Sequence, residues 1–243
     1  STFAALDRYL QQSQPTHLEQ LKEWLRVPSV SADPQAGSAM QQAASWVADA
    51  LKKHGFTAEL IPTDGPPLVY AESPPVPGKP VALVYGHYDV QPPDPLDKWV
   101  TPPFEPTERS GDLFARGATD DKGQVLTHVL GAAAWSSVGQ SLPLQVKFLI
   151  EGEEEVGSEQ LAAALPKLRE RIAADVIVIS DSSQYAKGQP AITYGLRGTS
   201  ILAALGNALL LIFAAMRVAG TLIARMADNE AQNAGQIIVI LPR

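Results

Sequence analysis

The chain has 243 residues, 45% apolar and 19% charged, enough to bury the core of one large domain or two small ones. Its net charge of −7 provides no basic stripe for a phosphate backbone, so nucleic acid is excluded as an expected partner. The absence of cysteine rules out disulfides, thiolate metal sites and a cysteine nucleophile, and it fits a reducing, cytoplasmic setting.

The first eight residues lack the basic start and apolar centre of a signal peptide. The first 55 residues read as helices. Leu18, Leu21, Trp24 and Leu25 recur at three-and-four spacing after Thr16, which beside Pro15 predicts an N-cap. Ala44, Val47, Ala48 and Leu51 repeat the pattern, and Gly55 stands where a glycine would end that helix. Short β-like runs follow at 58–61, 68–71 and 81–85, separated by proline- and glycine-rich turns. The proline-rich stretch 91–119 predicts a long surface excursion of the kind that carries function. Beyond it come a helix over 123–136, a strand over 144–150, a helix over 158–172 and a strand over 176–180. This alternation predicts a three-layer α/β fold, with a mostly parallel central sheet and helices on both faces.

The last stretch differs in character. Residues 201–227 are nearly uncharged apart from Arg217 and Arg225. Asn207, Arg217 and Thr221 interrupt them before the roughly 20 apolar residues of a membrane span are reached, so a buried helix over 207–226 is expected and no membrane association. Residues 236–241 read as a terminal strand that joins the sheet.

Chemistry-bearing residues gather at the ends of the predicted strands. His87 and Asp89 follow the run 81–85, and a two-residue spacing on a continuing strand points both side chains to one side. A carboxylate beside an imidazole fixes its tautomer and raises its basicity as a ligand, although a surface turn before Gln91, Pro92 and Pro93 would use the same residues. Asp120 and Asp121 precede an amphipathic helix, where simple N-capping is the competing explanation. Glu153, Glu154 and Glu155 follow the apolar alternation of Val146, Phe148 and Ile150. Three adjacent carboxylates repel one another, and a cation or a raised pKa is the usual remedy. Asp181 follows the run 176–179. In open α/β sheets the carboxyl ends of the strands line the ligand crevice. One imidazole and several carboxylates meeting there predict a divalent metal site with room for a hydrolytic water. His17, His54 and His128 lie within or at the ends of predicted helices and are read as structural.

From about residue 80 to 200 the chain resembles the metallopeptidase family of aminoacylase, acetylornithine deacetylase, succinyl-diaminopimelate desuccinylase, glutamate carboxypeptidase and carnosinase-type dipeptidases. The resemblance rests on Tyr-Gly-His-Tyr-Asp-Val-Gln-Pro (85–92), Trp99 with Pro-Pro-Phe-Glu-Pro (102–106), Arg-Gly-Ala-Thr-Asp-Asp-Lys-Gly (116–123), Glu-Gly-Glu-Glu-Glu-Val-Gly-Ser (151–158) and Ile-Ser-Asp (179–181). It implies that His87, Asp120 and Asp181 hold one zinc, with Asp120 bridging to a second zinc held by Glu155. It also implies that Glu154 is the general base, that Asp89 orients His87, and that the Asp120–Asp121 peptide is cis.

Members of that family interrupt the catalytic domain with a dimerising lid after a segment like Gly195-Leu196-Arg197-Gly198-Thr199. No lid-sized segment follows here, and no histidine follows Gly206. The expectation is therefore one catalytic domain over 1–243, with an atypical tail at 203–243 in place of the lid and carboxy-terminal half, and a monomer. Two functions stay open. One is a zinc-dependent amidohydrolase that cleaves a dipeptide or N-acyl amino acid. The other is a lid-less, catalytically impaired scaffold or metal-binding module. Calcium binding is a weaker third reading, because His87 is a poor calcium ligand.

Overall fold

The computed structural model describes residues 2–182, 191–193 and 236–240. Two helices open the chain, α1 over Thr2–Leu25 and α2 over Gly37–Lys53. The N-cap expected at Thr16 is not there: α1 runs unbroken through Pro15 and places His17 mid-helix. A proline inside a helix costs one backbone hydrogen bond. Burial on both sides of it outweighs that loss, with Leu6 and Leu10 before the proline and Leu21, Trp24 and Leu25 after it facing inward along one stripe. Helix α2 ends as its sequence predicts. Gly55 takes a φ of 87° and donates its N–H to the Lys52 carbonyl.

Strands β1 (Thr57–Ile61) and β2 (Leu68–Glu72) are joined by a short turn and pair antiparallel. Strand β3 (Val81–His87) leads into the proline-rich stretch, which carries a 3₁₀ turn at Leu96–Lys98 and the hairpin β4 (Thr107–Arg109) and β5 (Asp112–Phe114). Then come α3 (Lys122–Ser137), β6 (Gln145–Glu151), a 3₁₀ turn at Glu154–Val156, α4 (Glu159–Leu168) and β7 (Val176–Ile179). Helix α4 is shorter than the predicted 158–172. Strands β8 (Ala191–Thr193) and β9 (Gln236–Ile240) complete the sheet, so the terminal strand joins it as its apolar sequence requires. The apolar stretch 207–226 lies outside the described residues. No helix among the described residues is long and apolar enough to cross a membrane.

The sheet order is β1-β2-β6-β3-β7-β9-β8. It is mixed. The parallel pairs β6–β3 and β3–β7 form the centre, where α3 and α4 provide the crossovers that parallel strands need. Antiparallel pairs flank this centre on either side: β1–β2 and β2–β6 on one, β7–β9 on the other. Helices cover both faces and complete the three layers. Trp24, Val47, Leu51, Val125 and Val129 of α1–α3 pack with Val69, Val84, Phe148 and Ile150 on one face. On the other, Leu168 and the partly buried Leu161 of α4 pack with Leu68, Leu83 and Leu149. This core holds the three parallel strands rigid, and their carboxyl ends carry the polar residues described next.

Candidate metal centre

Register brings the acidic segments together. His87 ends β3 opposite Glu151 of β6, so the glutamates that follow Glu151 emerge beside the imidazole. On the other side Tyr85 pairs with Ile179 of β7, which brings Ser180 and Asp181 up next to it. His87 and Asp89 are 0% exposed, which rules out the surface-turn alternative. From His87 Nε2 the nearest carboxylate oxygens are those of Asp120 at 3.2 Å, Asp181 at 3.6 Å and Glu154 at 4.0 Å. Two groups of donors each fit within 4.8 Å: His87, Asp120 and Asp181, and His87, Glu154 and Glu155. The resemblance pairs Glu155 with Asp120; among the described residues Glu155 also lies within reach of His87 and Glu154.

His87 Nε2 is buried and makes no hydrogen bond despite these neighbours. It faces the carboxylates of Asp120, Asp181 and Glu154, an arrangement that suits a metal-ligating nitrogen. An imidazole with carboxylates and no thiolate suits zinc or another divalent ion of similar hardness. The donor set therefore fits the metal that the motifs imply.

The imidazole is fixed from two sides. Its Nδ1 lies 3.1 Å from the Asp89 carbonyl and 3.3 Å from the Asp89 carboxylate, and its backbone N–H donates to Asp121 Oδ2 at 3.0 Å. Asp89 thus bears on His87 through its backbone as well as its side chain. The other oxygen of that carboxylate accepts the Glu155 N–H at 3.1 Å, so one residue holds both the imidazole and the glutamate turn. Asp121 is not the helix-capping residue that its position suggests, since its side chain makes no cap hydrogen bond and turns to His87 instead. Gly86 makes room for it, because a Cβ there would lie 2.6 Å from Asp121 Oδ2. The Asp120–Asp121 peptide is cis, as the resemblance implies.

Further polar contacts hold the glutamate turn. Gln91 donates to Glu155. Glu153 accepts the Gln160 N–H at the start of α4. Buried Glu151 accepts from Tyr85 at 2.6 Å and from Ser158 at 2.9 Å. Sequence reading missed Gln91, Tyr85, Glu151 and the backbone role of Asp121. Only their place inside the motifs marked them.

Burial and charge act against each other here. Burial disfavours a charged His87, but the carboxylates of Asp120, Asp181 and Asp89 outweigh it and hold the imidazole well above its ordinary pKa. Asp120 is lowered by its contact with His87. Complete burial pushes Asp121 well above the carboxylate range. Glu154 and Glu155 are raised mainly by burial, with the neighbouring carboxylates adding to the effect. Crowded carboxylates of this kind are what a cation would relieve.

The model for peptidase family M20/M25/M40 matches residues 83–236. Among curated proteins, the human Beta-Ala-His dipeptidase is 37% identical over 208 residues, covering 79% of this chain and 41% of that protein. A Cys-Gly metallodipeptidase from Candida albicans is 34% identical, covering 78% of this chain and 42% of its own length. Among solved structures, human carnosine dipeptidase 1 superposes with a TM-score of 0.74 at 35% identity, over 80% of this chain and 44% of that one. The chain thus spans about two fifths of the length of the curated relatives it matches. The matched segment contains His87, Asp89, Asp120, Glu154, Glu155 and Asp181 on the strand ends described above. By sequence and by fold, the chain belongs to peptidase family M20/M25/M40.

Proposed function

We propose that this chain carries the catalytic centre of a zinc-dependent dipeptidase that hydrolyses the amide bond of a dipeptide or N-acyl amino acid. The observation that carries the reading is the orphaned, buried Nε2 of His87, facing Asp120 and Asp181 with Glu154 just beyond them. His87, Asp120 and Asp181 would hold one zinc; Asp120 and Glu155 would contribute to a second. When bound, zinc lowers the pKa of a coordinated water and polarises the scissile carbonyl.

The chain's own residues supply the rest. Glu154 is partly exposed and held above the ordinary carboxylate range, which suits a base working nearer neutral pH. It takes a proton from the attacking water as the oxygen–carbon bond forms, then returns it to the amine as the carbon–nitrogen bond breaks. Asp89 keeps the imidazole aimed and the glutamate turn in place. The similar curated proteins are named for β-Ala-His and Cys-Gly, both dipeptides, which supports a dipeptide as the substrate class. A cytoplasmic setting and small peptides as substrates complete the reading.

The test is metal content and hydrolysis of a simple dipeptide, measured on the chain as it stands, after chelation and after zinc is restored. Turnover that disappears with chelation and returns with zinc is the expected result. A chain that takes up no divalent ion, or whose hydrolysis ignores chelation, would refute the assignment.

A further inference from the structure

One short segment outside the ligands touches two of the three stretches of chain that carry the first ligand group, those of His87 and Asp120. Ser29 lies between α1 and α2 and is fully buried. Its Oγ donates to the Tyr88 carbonyl at 2.7 Å, and its own carbonyl accepts the Val90 N–H at 2.9 Å. Ser29 therefore straddles Asp89, and Val30 extends the contact by bridging to Val90. Two residues earlier, the Val27 carbonyl accepts the Lys122 ammonium at 2.7 Å, with the Trp24 carbonyl at 3.3 Å. Lys122 directly follows Asp120 and Asp121.

The Lys122 environment is unusual for a lysine. The side chain is 0% exposed and makes no salt bridge among the described residues. A buried lysine with no carboxylate in hydrogen-bond contact is costly unless other groups satisfy it. Here those groups are two carbonyls at the end of α1, where the helix carries partial negative charge, and the Trp24 ring at 5.9 Å. Gly117 marks how tightly these parts meet. At a φ of 81°, a Cβ there would lie 2.8 Å from Val90 and 3.5 Å from Lys122.

We propose that residues 27–30 are a positioning brace for the metal centre, with Ser29 fixing the His87–Asp89 segment and Lys122 fixing the Asp120 turn against the same stretch of backbone. The inference rests on the zinc reading of that centre. His87 comes from the sheet and Asp120 from a turn outside it, so no strand register fixes their separation of 3.2 Å. Zinc sites tolerate ligand-distance errors of only about 0.2 Å. A shared anchor restrains relative motion of the two segments, beside the direct bond from the His87 N–H to Asp121.

The experiment uses the full chain, with zinc alone as the probe. Zinc affinity is measured by competition with a chromogenic chelator, and the unfolding midpoint is measured in excess chelator. Lys122→Met and Ser29→Ala should each weaken zinc by about tenfold or more, the usual range for residues that support metal ligands. Leu6→Ala is the control. It removes a buried side chain that packs with Leu10 and Ala134, apart from the centre, so it should lower the midpoint while leaving zinc affinity unchanged. The brace is overturned if both variants bind zinc like wild type, or if Leu6→Ala loses as much affinity as they do. Should Lys122→Met fail to fold, Ser29→Ala decides alone, and wild-type affinity there refutes the proposal. Wild-type protein that binds no zinc would overturn the metal reading and the brace with it; binding that the variants leave unchanged overturns the brace alone.

Discussion

The two pairs of carboxylates that face His87 stand on different supports. Asp120 and Asp181 sit at the entry to α3 and just past the end of β7, beside elements packed into the core. Asp121, next to Asp120, is itself tied to the backbone of His87. Glu154 and Glu155 share one 3₁₀ turn that is partly open to solvent and closes through positive φ angles at Gly157 and Ser158. Polar contacts from Asp89, Gln91 and Glu151 hold that turn. Rigid elements suit ligands that must meet a metal at fixed distance, while a residue that carries a proton between water and amine tolerates more latitude. On the proposed roles, the first zinc would rest on core-packed ends, while the tethered turn would carry the base Glu154 and Glu155 of the second site.

Substitution on either side would break or sharpen that contrast. Glu154→Gln should have the largest effect, lowering kcat by about 10²- to 10⁴-fold with zinc content unchanged, since it removes the base and spares the first ligand group. Loss of zinc in that variant, read by elemental analysis, would show that Glu154 itself holds metal. Asp89→Asn comes next because it touches both sides. It should reduce zinc affinity or kcat by about 10- to 100-fold, and seeing both fall together in titration and kinetics would distinguish it from Glu154→Gln. Ser158→Ala removes one hydrogen bond to Glu151 and should cost about 1 kcal/mol in unfolding free energy, with kcat reduced more than zinc affinity.

The smallest expected effect lies away from both groups. Burial lowers His17 from 6.5 to about 4, with His54 adding to the shift. The unfolded chain binds a proton at the higher pH, so the neutral imidazole contributes stability above about pH 6.5 that is lost as the pH falls toward 4. His17→Gln should flatten the acid limb of the stability curve over that window by on the order of 1 kcal/mol, discounted for partial solvation. Chemical denaturation at several pH values checks it, and parallel curves would contradict it.

How much of this could be read in the sequence depended on distance along the chain. Strand β3 and the His87–Asp89 pair at its end were legible because an apolar run followed by polar residues is a local signal, and the same holds for β6 with its glutamates. Pro15 misled for the opposite reason: a proline is a local stop signal, and the packing of Leu6 and Leu10 against a helix more than a hundred residues away overrode it. Asp121 read as a helix cap because no sequence pattern shows that strand β3 passes beside it with a glycine at the contact. Lys122 looked like an ordinary charge at a helix start, and only the returning end of α1 reveals its partners. Pairings between segments distant in sequence carry no periodicity.

The order of strands in the sheet also has a consequence for how the centre comes into being. Val81 pairs with Gln145 and Ala82 with Val176, so His87 meets the glutamate turn and Asp181 only after two long stretches of chain have closed. Such closures are entropically costly and slow compared with forming a helix or hairpin. An emerging or refolding chain would acquire α1, α2 and the β1–β2 hairpin first and its metal-binding capacity last. Zinc added early in refolding would find scattered carboxylates and no coordination sphere, so it could reward the finished sheet without guiding the chain toward it.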